Sequence, residues 1–410
     1  MKLILIKRLY DISIRLISYI LKLYITIWEE NVEKIKYIGF YDCVENKSEN
    51  RNYVLSAVNK MNYIIDTVSR NNVEVEIISP SWTYNNKYYR SKTKYINHNI
   101  KLILSPTLPW GGFLRKIFSI IFTNLWIIMY FIKNVNKEEK VIVYHSPWLI
   151  YALYIIKRIK KIKIILEVEE IYSDVRKTNC LSKYIEYKVI RSADGYIFST
   201  ELLNNKINRN NKPYEVIYGT YKAEKERKIK FNDNKIHVVY AGTFDARKGG
   251  ANIAVDITQY LPESYHIHII GFGSKKDTES LLSRIDKISK ISCASITYDG
   301  LLNGDEYTEF LQKCHIGLST QTAEGKYNET SFPSKVLSYM ANGLRVVSAR
   351  IKVVQISRVG NEIFYYDEQD PKEIADIIKS IDINKPYDSR GLMRTLDKEF
   401  TNNIKNLLEK

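Results

Sequence analysis

From residue 34 onward, short apolar runs rich in β-branched and aromatic residues alternate with longer stretches of helical periodicity. In the first half the strand-like runs cover 35–41, 73–78, 101–104, 141–144, 162–167, 196–199 and 215–218, with helical patterns such as 53–70 and 181–191 between them. Alternation of this kind predicts a parallel sheet with helices on both faces. The segment 221–235, YKAEKERKIKFNDNK, is charged and poor in apolar residues, and reads as a linker. After it the alternation restarts, at 236–241, 266–270, 295–298, 316–319, 345–349 and 363–365. The expected architecture is therefore α/β, with two Rossmann-like doubly wound domains facing across a cleft. Residues 34–220 form the first, 236–384 the second, and 385–410 a last helix able to return to the first domain. Ligands of such sheets bind outside the carboxyl ends of the strands.

Two apolar stretches stand apart from this alternation. Residues 1–33 begin MKLILIKRLYDISIRLISYILKLYITIWEE, in which Lys7, Arg8, Asp11, Arg15 and Lys22 interrupt the apolar residues. No run long enough to span a bilayer results, and no small-residue cleavage site is evident. Leu5, Ile12, Leu16, Tyr19 and Leu23 fall opposite the charges, so the segment reads as an amphipathic helix docked on a membrane, with Trp28 as an interfacial anchor. The run 117–132, IFSIIFTNLWIIMYFI, follows Arg115 and Lys116 and reads as a helix of the first domain, short for a span, that is either covered by the fold or exposes one side to lipid.

Composition narrows the partners. A length of 410 residues suits two domains, and 45% apolar residues suits a globular chain. The formal charge of +16 calls for anionic lipid, phosphorylated small molecules or nucleic acid. No nucleic-acid motif accompanies the charge, which favours lipid head groups and a diphosphate ligand. Cys43, Cys180, Cys293 and Cys314 are scattered, so a reducing compartment is expected, and no cluster shows metal-ligand spacing.

Three segments of the second half carry candidate chemistry. In EGKYNETSFPSKVLSYMANG, Phe332, Pro333, Ser334 and Lys335 sit where a loop becomes a helix. A helix start with unpaired N–H groups is an anion site, and Lys335 adds a point charge. In VVYAGTFDARKGG a strand ends at Gly242, which allows close backbone approach, and Arg247 and Lys248 follow it. In IIGFGS another strand runs into Gly271 and Gly273. The third glycine and the acidic ribose partner of a dinucleotide fingerprint are missing, which disfavours NAD.

Together these segments resemble the donor domain of GT-B glycosyltransferases of family four, the large retaining group that builds bacterial polysaccharides. The resemblance implies a nucleotide-sugar donor (a UDP- or GDP-sugar) held by the second domain, no cofactor and no essential metal. The family's basic pair after the first strand falls here on Thr243 and Lys248, with Arg247 beside them. Its spaced pair of glutamates falls on Thr330 and Ser338, leaving Glu324 or Glu329 to reach the sugar. A histidine in the region of His145 contacts the donor sugar in similar enzymes, so His145, Glu324 and Lys248 are the expected catalytic residues. The resemblance implies acceptor contacts from Arg51 and Lys60 in the first loop of the first domain. Glu167, Glu169 and Glu170, at the end of a neighbouring strand, either order the acceptor, with Glu167 and Glu170 as its expected contacts, or pair with Arg176.

The expected function is transfer of a sugar to a polysaccharide or lipid-linked glycan at the cytoplasmic face of the cell membrane. A leaving diphosphate can itself take the acceptor proton, which accounts for the lack of a recognisable triad. Two other readings compete: an epimerase on the same fold, and a non-catalytic scaffold that binds nucleotide sugar or membrane.

Overall fold

The computed structural model describes residues 34–43, 48–136, 139–160, 162–244, 249–321 and 330–409. The helix expected over 1–33 lies outside them. The first sheet contains β1 (Lys34–Ile38), β2 (Glu74–Ser79), β3 (Lys92–Tyr95), β4 (Ile100–Leu104), β5 (Lys140–Tyr144), β6 (Lys163–Val168), β7 (Gly195–Phe198) and β8 (Tyr214–Val216). Their order is β3-β4-β2-β1-β5-β6-β7-β8, and every pairing is parallel except β3 with β4. The second sheet contains β9 (Ile236–Thr243), β10 (Tyr265–Phe272), β11 (Ser295–Gly300), β12 (Ile316–Ser319), β13 (Arg345–Ala349) and β14 (Ile363–Tyr366), in the order β11-β10-β9-β12-β13-β14.

Both sheets are thus wound outward from a central pair, and each has a switch point where the chain reverses direction across the sheet: β1/β5 in the first and β9/β12 in the second. Central strands such as KVIVY and KIILEV are apolar on both faces, as a sheet covered by helices on each side requires. The strand without a counterpart in the sequence reading is β3. Its residues KTKY are mostly exposed and form an antiparallel edge, where lysines discourage further pairing and no apolar alternation marks the strand.

Two apolar clusters hold the molecule. One fills the face of the first sheet that is covered by the helices Gly112–Asn134, Ile150–Lys160 and Cys180–Ser192, with Phe131, Leu153 and Val189 at its centre. The other is continuous from the opposite face of the first sheet through Tyr218 and Tyr221 into the second domain. The helix Ser389–Glu409 stitches that seam. Its Phe400 ring stacks on Tyr63 at 5.9 Å, and Asp397 accepts a hydrogen bond from Arg70 at 2.8 Å.

The helix Gly112–Asn134 is long and apolar enough to cross a membrane by length and composition, yet it packs beside Ile150–Lys160 as part of the first domain. It buries only Ser119, Thr123, Ile127 and Phe131. Ile120, Trp126, Ile128 and Tyr130 pack partly against the core, and eight further apolar residues face outward, from Phe113 (77% exposed) to Ile132 (43%).

Candidate functional site: the interdomain cleft

Between the carboxyl ends of the two sheets lies a cleft of about 1350 Å³. Its walls come from both domains: Tyr144, Ser146, Glu169 and Glu170 follow β5 and β6, while Gly242, Thr243, Gly271 and Phe272 end β9 and β10. The cleft is where two doubly wound sheets present their loops to a ligand.

On the second domain the wall is built mainly from backbone. Gly271 has φ 137°, and a Cβ there would stand 1.8 Å from the carbonyl oxygen of Gly242, so the two strand ends meet only because position 271 lacks a side chain. A Cβ on Gly242 would in turn lie 2.9 Å from Nζ of Lys335. The helix Ser334–Ala341 begins at this point. Its N-cap is Pro333, and among the described residues no side-chain cap closes the helix start. Lys335 leans over the Tyr240 ring, with Nζ 4.1 Å from the centroid. Buried Tyr339 locks the helix in place by accepting from the Ala241 N–H at 2.8 Å and donating to the Leu318 carbonyl at 3.3 Å. Uncapped N–H groups, a lysine ammonium and glycine backbone at one spot make an anion cradle suited to a diphosphate.

Ser334, Lys335, Ser338, Phe332 and Pro333 all line the cleft with Gly242, Thr243 and Gly271. Ser338 Oγ is 3.1 Å from Tyr307 Oη, which fixes its hydroxyl. Gly273 is not on the wall: a Cβ there would meet Phe244 at 2.9 Å, and the residue serves the turn into the helix Lys275–Ser289. Thr330 is buried against the first domain, where its carbonyl accepts from Ser199 Oγ at 3.4 Å and Thr200 Oγ1 at 3.3 Å. It is an interdomain contact, because the chain must close against β7 before the helix begins. Arg247, Lys248, Glu324 and Glu329 lie outside the described residues.

The first domain presents side chains instead. Lys60 is buried, pairs with Glu169 and donates to the Ile217 carbonyl at 2.8 Å, and it lines the cleft beside Glu169 and Glu170. Burial raises the Glu170 carboxyl above the usual range, against the pull of Arg176. Tyr144 and Tyr172, neither of them singled out by the sequence, complete this wall, and burial raises both phenols. Strand-end tyrosines next to EVEE were the available signal.

Three expectations for this domain fail. Arg51 does not reach the cleft. It is fully buried, bonded to Glu49 at 2.7 Å and to the carbonyls of Ser81 (2.9 Å) and Ser105 (3.0 Å), and so ties the loop before the first helix to β2 and β4. Glu167 is sealed beneath the cleft, where it accepts from Tyr37 Oη. Burial, reinforced by the charge of Glu169, holds its carboxyl well above the usual range. His145 is buried behind Ser146 and Pro147, and burial lowers its imidazole to about 4. Glu186 Oε1 stands 3.1 Å from its Nε2 outside hydrogen-bond geometry, with both carboxylate oxygens already engaged by the amides of Tyr172 and Ser173 at 2.9 Å. Alternation along β5 explains the miss, since the strand's last cleft-facing side chain is Tyr144.

The comparisons with known proteins agree with this geometry. Residues 235–381 match the family model described as glycosyl transferases group 1. No curated protein sequence matches the chain. Among solved structures, one is described as trehalose-6-phosphate from E. coli bound with UDP-2-fluoro glucose. It is similar at a TM-score of 0.65 and 10% identity, covering 92% of this chain and 99% of that one. A sucrose-phosphate synthase from Thermosynechococcus elongatus is similar at 0.59 and 12%, covering 92% and 95%. An α,α-trehalose-phosphate synthase from Burkholderia xenovorans in complex with glucose-6-phosphate gives 0.61 and 10%, covering 92% and 100%. At these identities the likeness is one of fold. The chain has the two-domain GT-B architecture, and its second half carries a group 1 glycosyl transferase domain.

Proposed function

We propose that the protein is a retaining glycosyltransferase that moves a sugar from a nucleoside diphosphate sugar to a glycan acceptor at an anionic membrane surface. The observation that carries this reading is the uncapped start of Ser334–Ala341 meeting Lys335 and Gly242 at the cleft. In the transfer, charge builds on the leaving diphosphate. Helix amides and Lys335 stabilise it there, which is electrostatic work needing no metal in that role. The solved neighbours include one described with UDP-2-fluoro glucose, which supports a nucleotide sugar as the donor. On the opposite wall, Tyr144, Tyr172, Lys60, Glu169 and Glu170 offer aromatic faces and paired charges to a hydroxyl-rich acceptor.

The membrane component of the proposal rests on a flank of the first domain. The helices Gly112–Asn134, Ile150–Lys160 and Cys180–Ser192 pack side by side and together expose Phe113, Phe118, Leu125, Ile159, Leu181 and Tyr184. Basic side chains including Lys116, Arg158 and Lys188 stand among them, a combination suited to acidic lipid and a lipid-linked acceptor. Free sugar phosphate is the alternative acceptor on the same site, since one solved neighbour is described in complex with glucose-6-phosphate.

Thr330 and Ser338, standing where the resemblance places glutamates, favour one other reading, a protein that binds nucleotide sugar without turning it over. A single assay separates them. Native protein and Lys335→Ala are titrated with UDP-, GDP- and ADP-sugars, with and without vesicles containing anionic lipid, and released sugar is followed. Saturable binding of one donor, weakened roughly thirtyfold in the variant and accompanied by sugar release, supports the transferase. Binding without release supports the scaffold, and no donor binding at all refutes both.

A further inference from the structure

Four of the chain's six histidines gather far from the cleft, at the amino-terminal ends of the strands of the second sheet. His237 is the second residue of β9 and stands in register with His266 of β10. His268 follows two positions later, on the same face. His315 precedes β12 and accepts from the His237 backbone N–H at 3.0 Å. Linear spacing shows no ligand set here, because the register rather than the sequence brings the rings together.

The hydrogen bonds define where the protons are. Nε2 of His237 is 2.7 Å from Asp233 Oδ1, and Nδ1 of His268 is 3.0 Å from Asp299 Oδ2. A carboxylate can only accept, so these two nitrogens carry the N–H groups. The Thr297 hydroxyl donates to Asp299 at 2.9 Å, which leaves it to accept from Nε2 of His266 at 3.0 Å. Each ring therefore spends its proton on the outer nitrogen. The inner nitrogens, Nδ1 of His237 and Nε2 of His268, face each other at 2.9 Å as two lone pairs. Two acceptors at that distance repel unless a positive centre lies between them.

We propose that His237, His266 and His268 form a structural site for a divalent transition metal, with zinc as the fitting ion. One ring nitrogen of each lies within 4.8 Å of the others. A shared proton would satisfy two rings and leave the pair of carboxylates half balanced, whereas a dication matches both Asp233 and Asp299 and uses the third ring. Asp233 and Asp299 occupy the outer positions that orient metal-bound imidazoles and raise their basicity. Phe231 caps the pair of rings, stacked 4.1 Å from His237 and 4.9 Å from His268, and keeps water from the inner nitrogens. His266, partly exposed and stacked on His268 at 4.1 Å, is the ligand that turns to close the site, at the zinc–nitrogen distance of about 2.0–2.1 Å. The site ties β9 to β10 at the edge opposite the nucleotide cradle and does not depend on the transferase reading.

The test uses the full chain without a polyhistidine tag, in a Cys180→Ser/Cys293→Ser background, since both thiols are exposed. Metal-stripped protein is titrated with zinc alone and, separately, with cobalt(II). The expected results are one equivalent of zinc held through dialysis, a rise in Tm, and visible cobalt bands of nitrogen ligation. His268→Gln should abolish all three. Asp233→Asn, at the exposed rim, should stay folded and weaken zinc roughly 10–100-fold, the effect expected of a ligand-orienting carboxylate. Failure of the folded parent to hold stoichiometric zinc overturns the proposal, and so does an unchanged affinity in Asp233→Asn. If His268→Gln does not fold, the titration of the parent and of Asp233→Asn decide alone.

Discussion

The two sheets are wound in the same order, yet they meet the cleft in opposite ways. The second domain offers backbone, with Gly242 and Gly271 in mutual van der Waals contact and a helix start without a side-chain cap. The first offers side chains, with Lys60, Glu169, Glu170, Tyr144 and Tyr172 on its wall and Arg51, Glu167 and His145 buried behind it. A diphosphate has a fixed shape and charge, which fixed amides and one lysine can hold. On the proposed function, the acceptor, whose outline varies, would meet groups that differ in charge, length and aromaticity. The comparison teaches that shared topology supplies the place for a ligand, while the kind of atom presented there sets what the place can hold.

The largest expected effects come from forcing one domain to behave like the other. Gly271→Ala puts a methyl 1.8 Å from a backbone carbonyl that cannot yield, at a positive φ. It should cost about 5 kcal/mol or more, the range of severe backbone and packing conflicts, or leave the second domain unfolded in a urea titration. Gly39→Ala, just past the end of β1, meets the flexible tip of Met61 at 2.6 Å and, less closely, the Tyr144 Cβ at 3.1 Å, and should cost about 1–2 kcal/mol. Equal costs would remove the contrast between a backbone-built wall and a side-chain-built one.

Next is Arg51→Met, which should lower stability by about 3 kcal/mol, because buried Glu49 keeps only Lys92 as a cation and the carbonyls of Ser81 and Ser105 lose their donor, while the activity of the molecules that remain folded is unchanged. A selective loss of acceptor turnover at full stability would return Arg51 to the site. For Lys335→Ala, loss of one charge-assisted contact should weaken donor binding by about 2 kcal/mol, roughly thirtyfold. Glu170→Gln should leave donor affinity alone and raise the acceptor KM. Calorimetry with the donor and initial-rate kinetics with the acceptor separate the two walls, and donor binding lost in Glu170→Gln would merge them.

How much of this was legible in the sequence follows the same division. Strand–helix alternation and the charged break before β9 announced both sheets, because buried parallel strands carry near-continuous apolar runs. That the segment Phe332–Lys335 and the glycines 242 and 271 meet at one wall of the cleft was legible because a proline-led helix start and a strand-end glycine act through local backbone. Arg51 and His145 were misread for the opposite reason. Whether a polar side chain at a strand end faces a cleft or a core depends on register and on partners far along the chain, such as Ser105 for Arg51 and Glu186 for His145. Strand β3 escaped notice because an exposed edge of lysines needs no apolar alternation.

The smallest effect concerns His145 and concerns sign as much as size. Its imidazole titrates at about 4 in the folded chain against 6.5 in the unfolded one, because burial disfavours the charged ring. The unfolded state therefore binds the extra proton first, and the stability this group contributes is intact above pH 6.5 and is lost as pH falls from 6.5 toward 4. Between pH 7 and pH 5.5 that loss amounts to about 1 kcal/mol. His145→Gln has no ring to protonate, so its urea midpoint should fall less over that interval than the midpoint of the native chain. The other five histidines are common to both proteins and cancel in the difference. A variant that loses more stability than the native chain on acidification would mean that Glu186, 3.1 Å away, pairs with a protonated ring and outweighs burial. His145 would then be a charged strut like Arg51, and the wall behind the first domain's half of the cleft would be held by ion pairs throughout.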